Sequence, residues 1–211
     1  MRSEASDVIV GDSMEARRWV EASELPEETK VSLLRFIVRF STLTFYKDSI
    51  GALDAVEEAQ GVVLPRWLRA ICQTIRSVEP ECRVWARFDH SVHPYIVGER
   101  LRDSWYRIGV IGYVANVERP LFESLPDLHL LPIGDDERPG RSTLAINLSD
   151  HTDQRVYEYA LEDLQQEMGD GEAVRELIFP MFASYANMLG QITAVKIRSS
   201  DSSRRIIEAQ E

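Results

Sequence analysis

The stretch from 129 to 159 constrains the fold most, because three apolar segments alternate there with two polar turns. The first segment ends at a cluster of Gly, Asp and Pro residues over 134–140, whose backbone preferences suit a tight reversal. The second segment has apolar residues at alternate positions: Leu144, Ile146 and Leu148. The third begins at Val156 after another polar turn. This pattern predicts three successive strands of a meander at the centre of a sheet.

Helical spacing precedes the meander. Pro26 and the two glutamates after it mark a helix start, and the apolar positions of that helix are Val31, Leu34, Ile37, Val38 and Phe45. Asp48 or Ser49 caps a second helix that ends at Gly61. Pro65 opens a third helix. The segment 25–75 is therefore expected to be mainly helical.

Helical spacing also follows the meander, where apolar residues from Val174 to Ile192 form one stripe. Pro180 interrupts this stripe, and we expect it to lie in the first turn of a new helix, because an interior proline costs ~3 kcal/mol. The predicted fold class is α+β, with N-terminal helices, a largely antiparallel sheet of about five or six strands and a closing C-terminal helix.

Two further strand regions are expected between the helices and the meander. Residues 82–88 alternate apolar positions with a basic and aromatic outer face made of Arg83, Trp85 and Arg87. Trp105 to Val117 forms the second region, after a polar loop. Arg and Trp are enriched at interface hot spots, so this outer face is a candidate partner-binding surface. The alternative is the solvated face of an edge strand.

The chain has 211 residues, which suits one domain with additions. We expect a loosely ordered segment over 1–24, a single domain over 25–198 with extra strand material at 82–117, and a polar, frayed tail over 199–211.

Composition and charge restrict the class of partner. Hydrophobic residues make up 44% and charged residues 28%, as in soluble globular proteins. A formal net charge of −11 disfavours nucleic acid and favours a protein partner with a basic surface, although solubility alone also explains such a charge. No signal peptide or membrane span is apparent, so we expect a cytoplasmic protein in which Cys72 and Cys82 are small buried residues. The oligomeric state stays open.

Two loops contain residue types that bind metals. Asp89, His90 and His93 are ligand types for a transition metal. The two histidines lie in a loop and not on a helix face, and no third ligand is adjacent to this pair, so a solvent-facing loop is expected. Residues 134–137 could hold a hard cation, but a turn explains them, and Asp135, Asp136 and Glu137 count as candidate partner-binding residues. Phosphate-loop, dinucleotide, zinc-protease and serine-hydrolase motifs are absent from the sequence. We therefore expect no catalytic, metal or cofactor residues, and no enzyme.

Two stretches resemble the SUKH superfamily, the Smi/Knr-type domains found as bacterial immunity proteins and in a yeast regulator of cell-wall synthesis. The first, 53–68, is similar to the family's Glu-containing helix followed by Gly, an apolar residue, Leu-Pro and an aromatic. The second, 131–157, resembles its strand, Gly-Asp turn, strand and Val-Tyr strand. Residues 182–189 resemble the closing aromatic helix. Where the family turn continues with glycines and an Asp, this chain has Glu-Arg-Pro-Gly-Arg at 137–141.

The resemblance implies a non-enzymatic α+β domain that binds another protein, commonly a toxin of a polymorphic toxin system. The expected function is therefore an immunity protein that neutralises a cognate toxin. A regulatory scaffold for envelope synthesis or signalling is the first alternative. A metal-dependent enzyme that uses the loop from Asp89 to His93 is the second.

Overall fold

A computed structural model gives the structure of the chain and describes residues 8–75, 81–87, 101–108, 129–136, 142–167, 171–198 and 204–210. Within these ranges, helices pack on strands that pair only antiparallel. The predicted α+β class is therefore confirmed.

The N-terminal part contains four helices and a two-stranded ribbon. Their bounds are β1 Val8–Gly11, α1 Ser13–Glu21, α2 Glu27–Arg39, β2 Phe45–Asp48, α3 Ile50–Gln60 and α4 Arg66–Thr74. The Asp12 side chain caps α1, and Ser49 Oγ caps α3 by accepting the Ala52 backbone N–H at 3.1 Å. Gly61 ends α3 in the left-handed conformation, with φ 64°. The predicted starts of α2, α3 and α4 and the predicted stop of α3 at Gly61 are confirmed.

Two expectations for this part are wrong. The segment 1–24 was expected to be loosely ordered, but within its described part, 8–24, β1 pairs with β2, and α1 buries Ala16 and Val20 in the core. The apolar positions of α2 do not all face inward either, since Val31 and Val38 are 57% and 49% exposed. Phe45 is buried, but it belongs to β2 because α2 already ends at Arg39.

The remaining elements build the main sheet and its covering helices. Their bounds are β3 Glu81–Arg87, β4 Leu101–Ile108, β5 Leu130–Asp136, β6 Ser142–Asn147, β7 Val156–Ala160, α5 Leu161–Gln166, α6 Gly171–Glu176, β8 Phe179–Phe182, α7 Tyr185–Gly190, β9 Ile192–Arg198 and β10 Arg204–Glu208. The eight strands follow the order β10-β9-β3-β4-β5-β6-β7-β8. The meander β5-β6-β7 is confirmed.

The C-terminal part differs from the prediction. Pro180 lies in the edge strand β8, not in a helix, because an edge strand tolerates the missing N–H. The closing helix α7 is short and is followed by β9 and β10, so the expected frayed tail over 199–211 contains a paired strand. The main sheet exceeds five or six strands because β8, β9 and β10 come from segments whose helical spacing or polarity concealed them.

Two apolar clusters cover the two faces of the sheet. The larger cluster joins α1, α2, α4 and α7 to one face through residues such as Phe36, Leu68, Ile146 and Val195. We call this the inner face. The smaller cluster lies on the opposite, outer face and includes Tyr157. β6 is buried on both faces and therefore forms the centre of the fold. The alternation of Leu144 and Ile146 predicted a central strand at this position.

Candidate functional site

The candidate functional site is the outer face of the sheet. Short helices α5 and α6 cover β5, β6 and β7 there, through one cluster of buried side chains: Leu130, Ala145, Tyr157, Tyr159, Leu164, Val174 and Ile178. Since each helix uses only its apolar side for this packing, its polar side is left to face solvent.

Exposed carboxylates lie on and beside the two covering helices. Asp163 and Glu167 lie on and just after α5, and Glu172 and Glu176 lie on α6; all four are exposed. The segment 161–176 contains six acidic residues and one arginine, so it contributes a charge of −5 to the net −11 of the chain. We call the four exposed residues the acidic layer. It concentrates negative potential over one part of the sheet.

A buried carboxylate, that of Asp153, lies in the turn just before β7. Arg155 Nε and Nη2 donate to Asp153 Oδ1 and Oδ2 at 2.8 and 3.0 Å. The Tyr157 hydroxyl donates to Asp153 Oδ2 at 2.5 Å, and the Arg155 guanidinium lies 5.2 Å from the Tyr157 ring centroid. The cluster holds Arg155 and Tyr157 in fixed orientation, with the Tyr157 ring in the buried cluster of the outer face.

The two ionisable groups of this cluster have shifted pKa values. Burial raises the pKa of Asp153, but the hydrogen bonds from Arg155 and Tyr157 outweigh it, so the net pKa lies below the ordinary value. Burial, followed by the hydrogen bond to the Asp153 carboxylate, raises the pKa of Tyr157 well above its ordinary value. Asp153 is therefore ionised and Tyr157 neutral at neutral pH, which suits a structural pair.

The predicted residues Arg83, Trp85 and Arg87 lie on β3, which has β9 on one side and β4 on the other. β9 pairs with β3 only from Glu81 to Val84, so the alternative of an edge strand is wrong for Arg83, whereas Trp85 and Arg87 pair with β4 alone. The pairing register places them on the outer face, with Arg83 opposite Trp105 of β4. The outer-face position predicted from their alternation agrees with this register.

The three predicted acidic residues separate in the structure. Asp135 and Asp136 were expected in a turn, but both belong to β5, opposite Arg107 and Tyr106 of β4. They are in the strand because β5 continues through them to pair with β4, and the reversal follows later. Successive strand residues occupy opposite faces, so Asp135 shares the outer face and Asp136 does not. Glu137 lies outside the described residues.

Asp135 also belongs to a row of alternating charges across four neighbouring strands. The register aligns Lys196 of β9, Glu81 of β3, Arg107 of β4 and Asp135 of β5. Opposite charges at directly paired positions stabilise a sheet by roughly 0.2–1 kcal/mol each. The pairing register thus sets Asp135 opposite a basic position of the neighbouring strand.

The metal-type loop from Asp89 to His93 lies outside the described residues. Among the residues that are described, no group of three His, Cys, Asp or Glu side chains could hold a metal ion. No helix within the same ranges has the length and apolarity to cross a membrane. Cys72 is buried, as predicted, while the side chain of Cys82 is not described.

The first stretch that resembles the SUKH superfamily has a structural role here. Glu57 of α3 accepts the Leu64 backbone N–H at 2.7 Å and an Arg69 guanidinium N–H at 2.5 Å. Arg69 also donates to Asp54 at 2.6 Å. These contacts fix the connection from α3 to α4, so the Glu and Leu-Pro positions of this stretch have a structural role.

The acidic layer and the Asp153 cluster are not among the functional residues predicted from the sequence. A signal for the layer exists in the sequence, since 161–176 is the most acidic part of the helical C-terminal region. The cluster has no such signal, because a buried Asp in a polar turn is indistinguishable from an exposed one without the fold.

Comparisons with known proteins add no assignment: no family model matches the chain, and neither the curated proteins nor the solved structures contain a significant match.

Proposed function

We propose that the chain is a non-enzymatic protein-binding domain of the immunity type, which neutralises a cognate toxin by binding it through the outer face of the sheet. The observation that carries this proposal is the acidic layer on α5 and α6. The immunity assignment itself comes from the SUKH resemblance, and the layer adds a surface with a definite charge.

The acidic layer identifies the chemistry of the partner. Four exposed carboxylates on one small surface attract a protein whose contact surface is basic, and they repel nucleic acid. A nuclease toxin has such a surface, because its substrate groove must be positive to hold a phosphate backbone. An acidic surface that occupies this groove would block the substrate.

The proposed contact has a kinetic signature. Electrostatic steering raises the association rate, and salt screens it as the Debye length falls to about 8 Å. Once the partner is captured by pull-down from the native cytoplasm, its association rate is expected to fall steeply with salt, with a smaller change in dissociation rate. One tight partner would favour the immunity protein, and several weak partners would favour the regulatory scaffold.

A charge-matched pair of variants tests the location. The first converts Asp163 to Asn and Glu167, Glu172 and Glu176 to Gln. The control converts four other exposed glutamates, Glu21, Glu24, Glu28 and Glu58, to Gln. Both variants remove four negative charges.

Only the first variant is expected to slow association by about tenfold or more. Equal losses in both variants would show that net charge acts without a specific surface. A partner with an acidic contact surface would refute the electrostatic part of the proposal. Thermal unfolding of both variants checks that they remain folded.

A further inference from the structure

A polar groove lies on the inner side of the fold, away from the acidic layer. It has a volume of about 320 Å³ and lies between α2, α7 and the start of β9. Its wall on α2 is made by Ser32, Arg35 and Arg39. This volume falls at the lower end of the range for small-molecule sites, roughly 300–1,000 Å³.

The charge of this groove is opposite to that of the molecule. Arg35 and Arg39 are one helical turn apart on α2, and no carboxylate lies among the described residues that line the groove. The neighbours of Arg35 three and four positions away are Ser32, Val31, Val38 and Arg39, none of which is acidic. Like charges at this spacing repel each other along a helix. The fold thus holds two guanidinium groups together without a lining anion.

Arg39 is held in place. Its Nη1 donates to the Gly190 carbonyl at 2.9 Å, which fixes the guanidinium against the end of α7. A guanidinium has five N–H donors, so further donors remain for a ligand. Burial lowers the pKa of Arg39, and the positive charge of Arg35 lowers it further. A bound anion would offset both effects.

The opposite wall adds neutral polar groups. Gln191 Nε2 donates to Asn187 Oδ1 at 2.8 Å, and this contact orients the Asn187 amide with its own N–H₂ group available. Ser32 and Thr193 complete the polar lining. The oxygens of a tetrahedral oxyanion are bound in proteins by guanidinium groups together with hydroxyl and amide donors.

We propose that the groove between α2 and α7 is a binding site for a phosphate-type oxyanion, with Arg35 and Arg39 as its charged ligands. The group can come from inorganic phosphate or from a phosphorylated small molecule, since both present the same oxygens. The site is separate from the proposed protein contact on the outer face, so either proposal can fail without the other.

Isothermal titration with inorganic phosphate and with adenosine monophosphate, at constant ionic strength in chloride, tests the site. Arg35→Gln is expected to weaken binding by about tenfold or more, because it removes charged hydrogen bonds. Arg35→Lys keeps the positive charge but removes the planar guanidinium with its paired N–H donors, so it is expected to lower the affinity less than Arg35→Gln does. Arg17→Gln removes an exposed arginine from α1 and is expected to change affinity by less than about twofold.

Tighter binding of adenosine monophosphate than of phosphate would support a phosphorylated small molecule, and equal binding would support the free ion. Equal losses of affinity in Arg35→Gln and Arg17→Gln would overturn the proposal. So would the absence of binding of either compound at about 10 mM, a concentration that detects even very weak binding. An independent test uses the unmodified protein. Phosphate should shift the side-chain Nε–H resonances of two arginines in ¹H–¹⁵N spectra. No shift in these resonances would also overturn it.

Discussion

Ile146 is a residue at which the sheet is sensitive to lost volume. Its side chain is 0% exposed in the middle of β6, where it packs in the larger cluster. Ile146→Ala is expected to lower the free energy of unfolding by ~2–5 kcal/mol, because the fully covered strand cannot collapse around the cavity. Equilibrium unfolding in urea measures this change.

Val63→Ala is the matched control, since Val63 is an aliphatic residue that is 66% exposed. It should change stability by less than ~0.5 kcal/mol. A loss below ~1 kcal/mol for Ile146→Ala would contradict the face assigned to this residue.

Asp153 gives stability a dependence on acid. Its folded pKa lies below the unfolded value, so the unfolded state binds more protons as the pH falls. The stabilisation is fully present above the unfolded pKa of about 3.9 and is lost as the pH falls through the folded pKa. Asp153→Asn is therefore expected to cost ~1–3 kcal/mol at neutral pH and progressively less in acid.

Urea unfolding of the normal chain and of Asp153→Asn between pH 7 and pH 2 measures this dependence, with the exposed Asp163→Asn as control. A difference that stays constant over the whole pH range would show that the Asp153 carboxylate stabilises the fold through packing alone.

Two glycines show how the elements constrain substitution. At Gly11, which ends β1, an added Cβ would lie 2.5 Å from Trp19 of α1. Trp19 packs against the core, and Lys47 of β2 lies over its ring at 4.8 Å, so the ring has little freedom to move. At Gly51 of α3, an added Cβ would meet nothing within 4 Å.

Gly11→Ala is accordingly expected to destabilise the protein by ~1–3 kcal/mol through overpacking. Gly51→Ala is expected to stabilise it by ~0.4–1 kcal/mol, because alanine loses less backbone entropy in a helix. Thermal unfolding of the two variants tests both signs together. A stabilising Gly11→Ala would show that β1 and α1 are not tightly packed.

Elements whose signals are local were predictable from the sequence. Capping by Ser49, the stop at Gly61 and the alternation in β6 each depend on a few neighbouring residues, and each appears in the structure. β8 and β10 were not predictable, because their strand character comes from pairing with β7 and β9. Pro180 illustrates this: the same residue fits a first helical turn or an edge strand, and only its neighbours decide.

The candidate site was only partly predictable at this scale. Arg83, Trp85 and Arg87 were placed on the outer face because alternation fixes which residues share a face. The place of Arg83 in the interior of the sheet was not predictable, since it requires β9 from the far end of the chain. The groove of Arg35 and Arg39 joins α2 to α7, a contact that no local pattern contains.

The whole molecule depends on its last strand. β10 covers β9, Ile207 and Ala209 pack against the larger cluster, and the Gln210 N–H donates to the Arg39 carbonyl at 2.9 Å. Removal of 204–211 is expected to expose the β9 edge, lower stability and promote self-association. Unfolding together with size-exclusion chromatography measures both effects.

Removal of residue 211 alone is the control for this truncation, and it should leave both properties unchanged. A truncated chain that remains monomeric and as stable as the full chain would show that β10 adds nothing to the sheet.

The order of strands in the sheet has a consequence for synthesis on the ribosome. Cys82 of β3 pairs with Val195 of β9, although 113 residues of chain separate the two. At about 5–20 residues per second, β3 leaves the ribosome roughly 6–23 s before its partner exists. During that interval the newborn chain can pair β3 with β4 alone, and the other edge of β3 stays open to any strand it meets. In each round of translation, one edge of β3 therefore lacks its native partner for roughly 6–23 s.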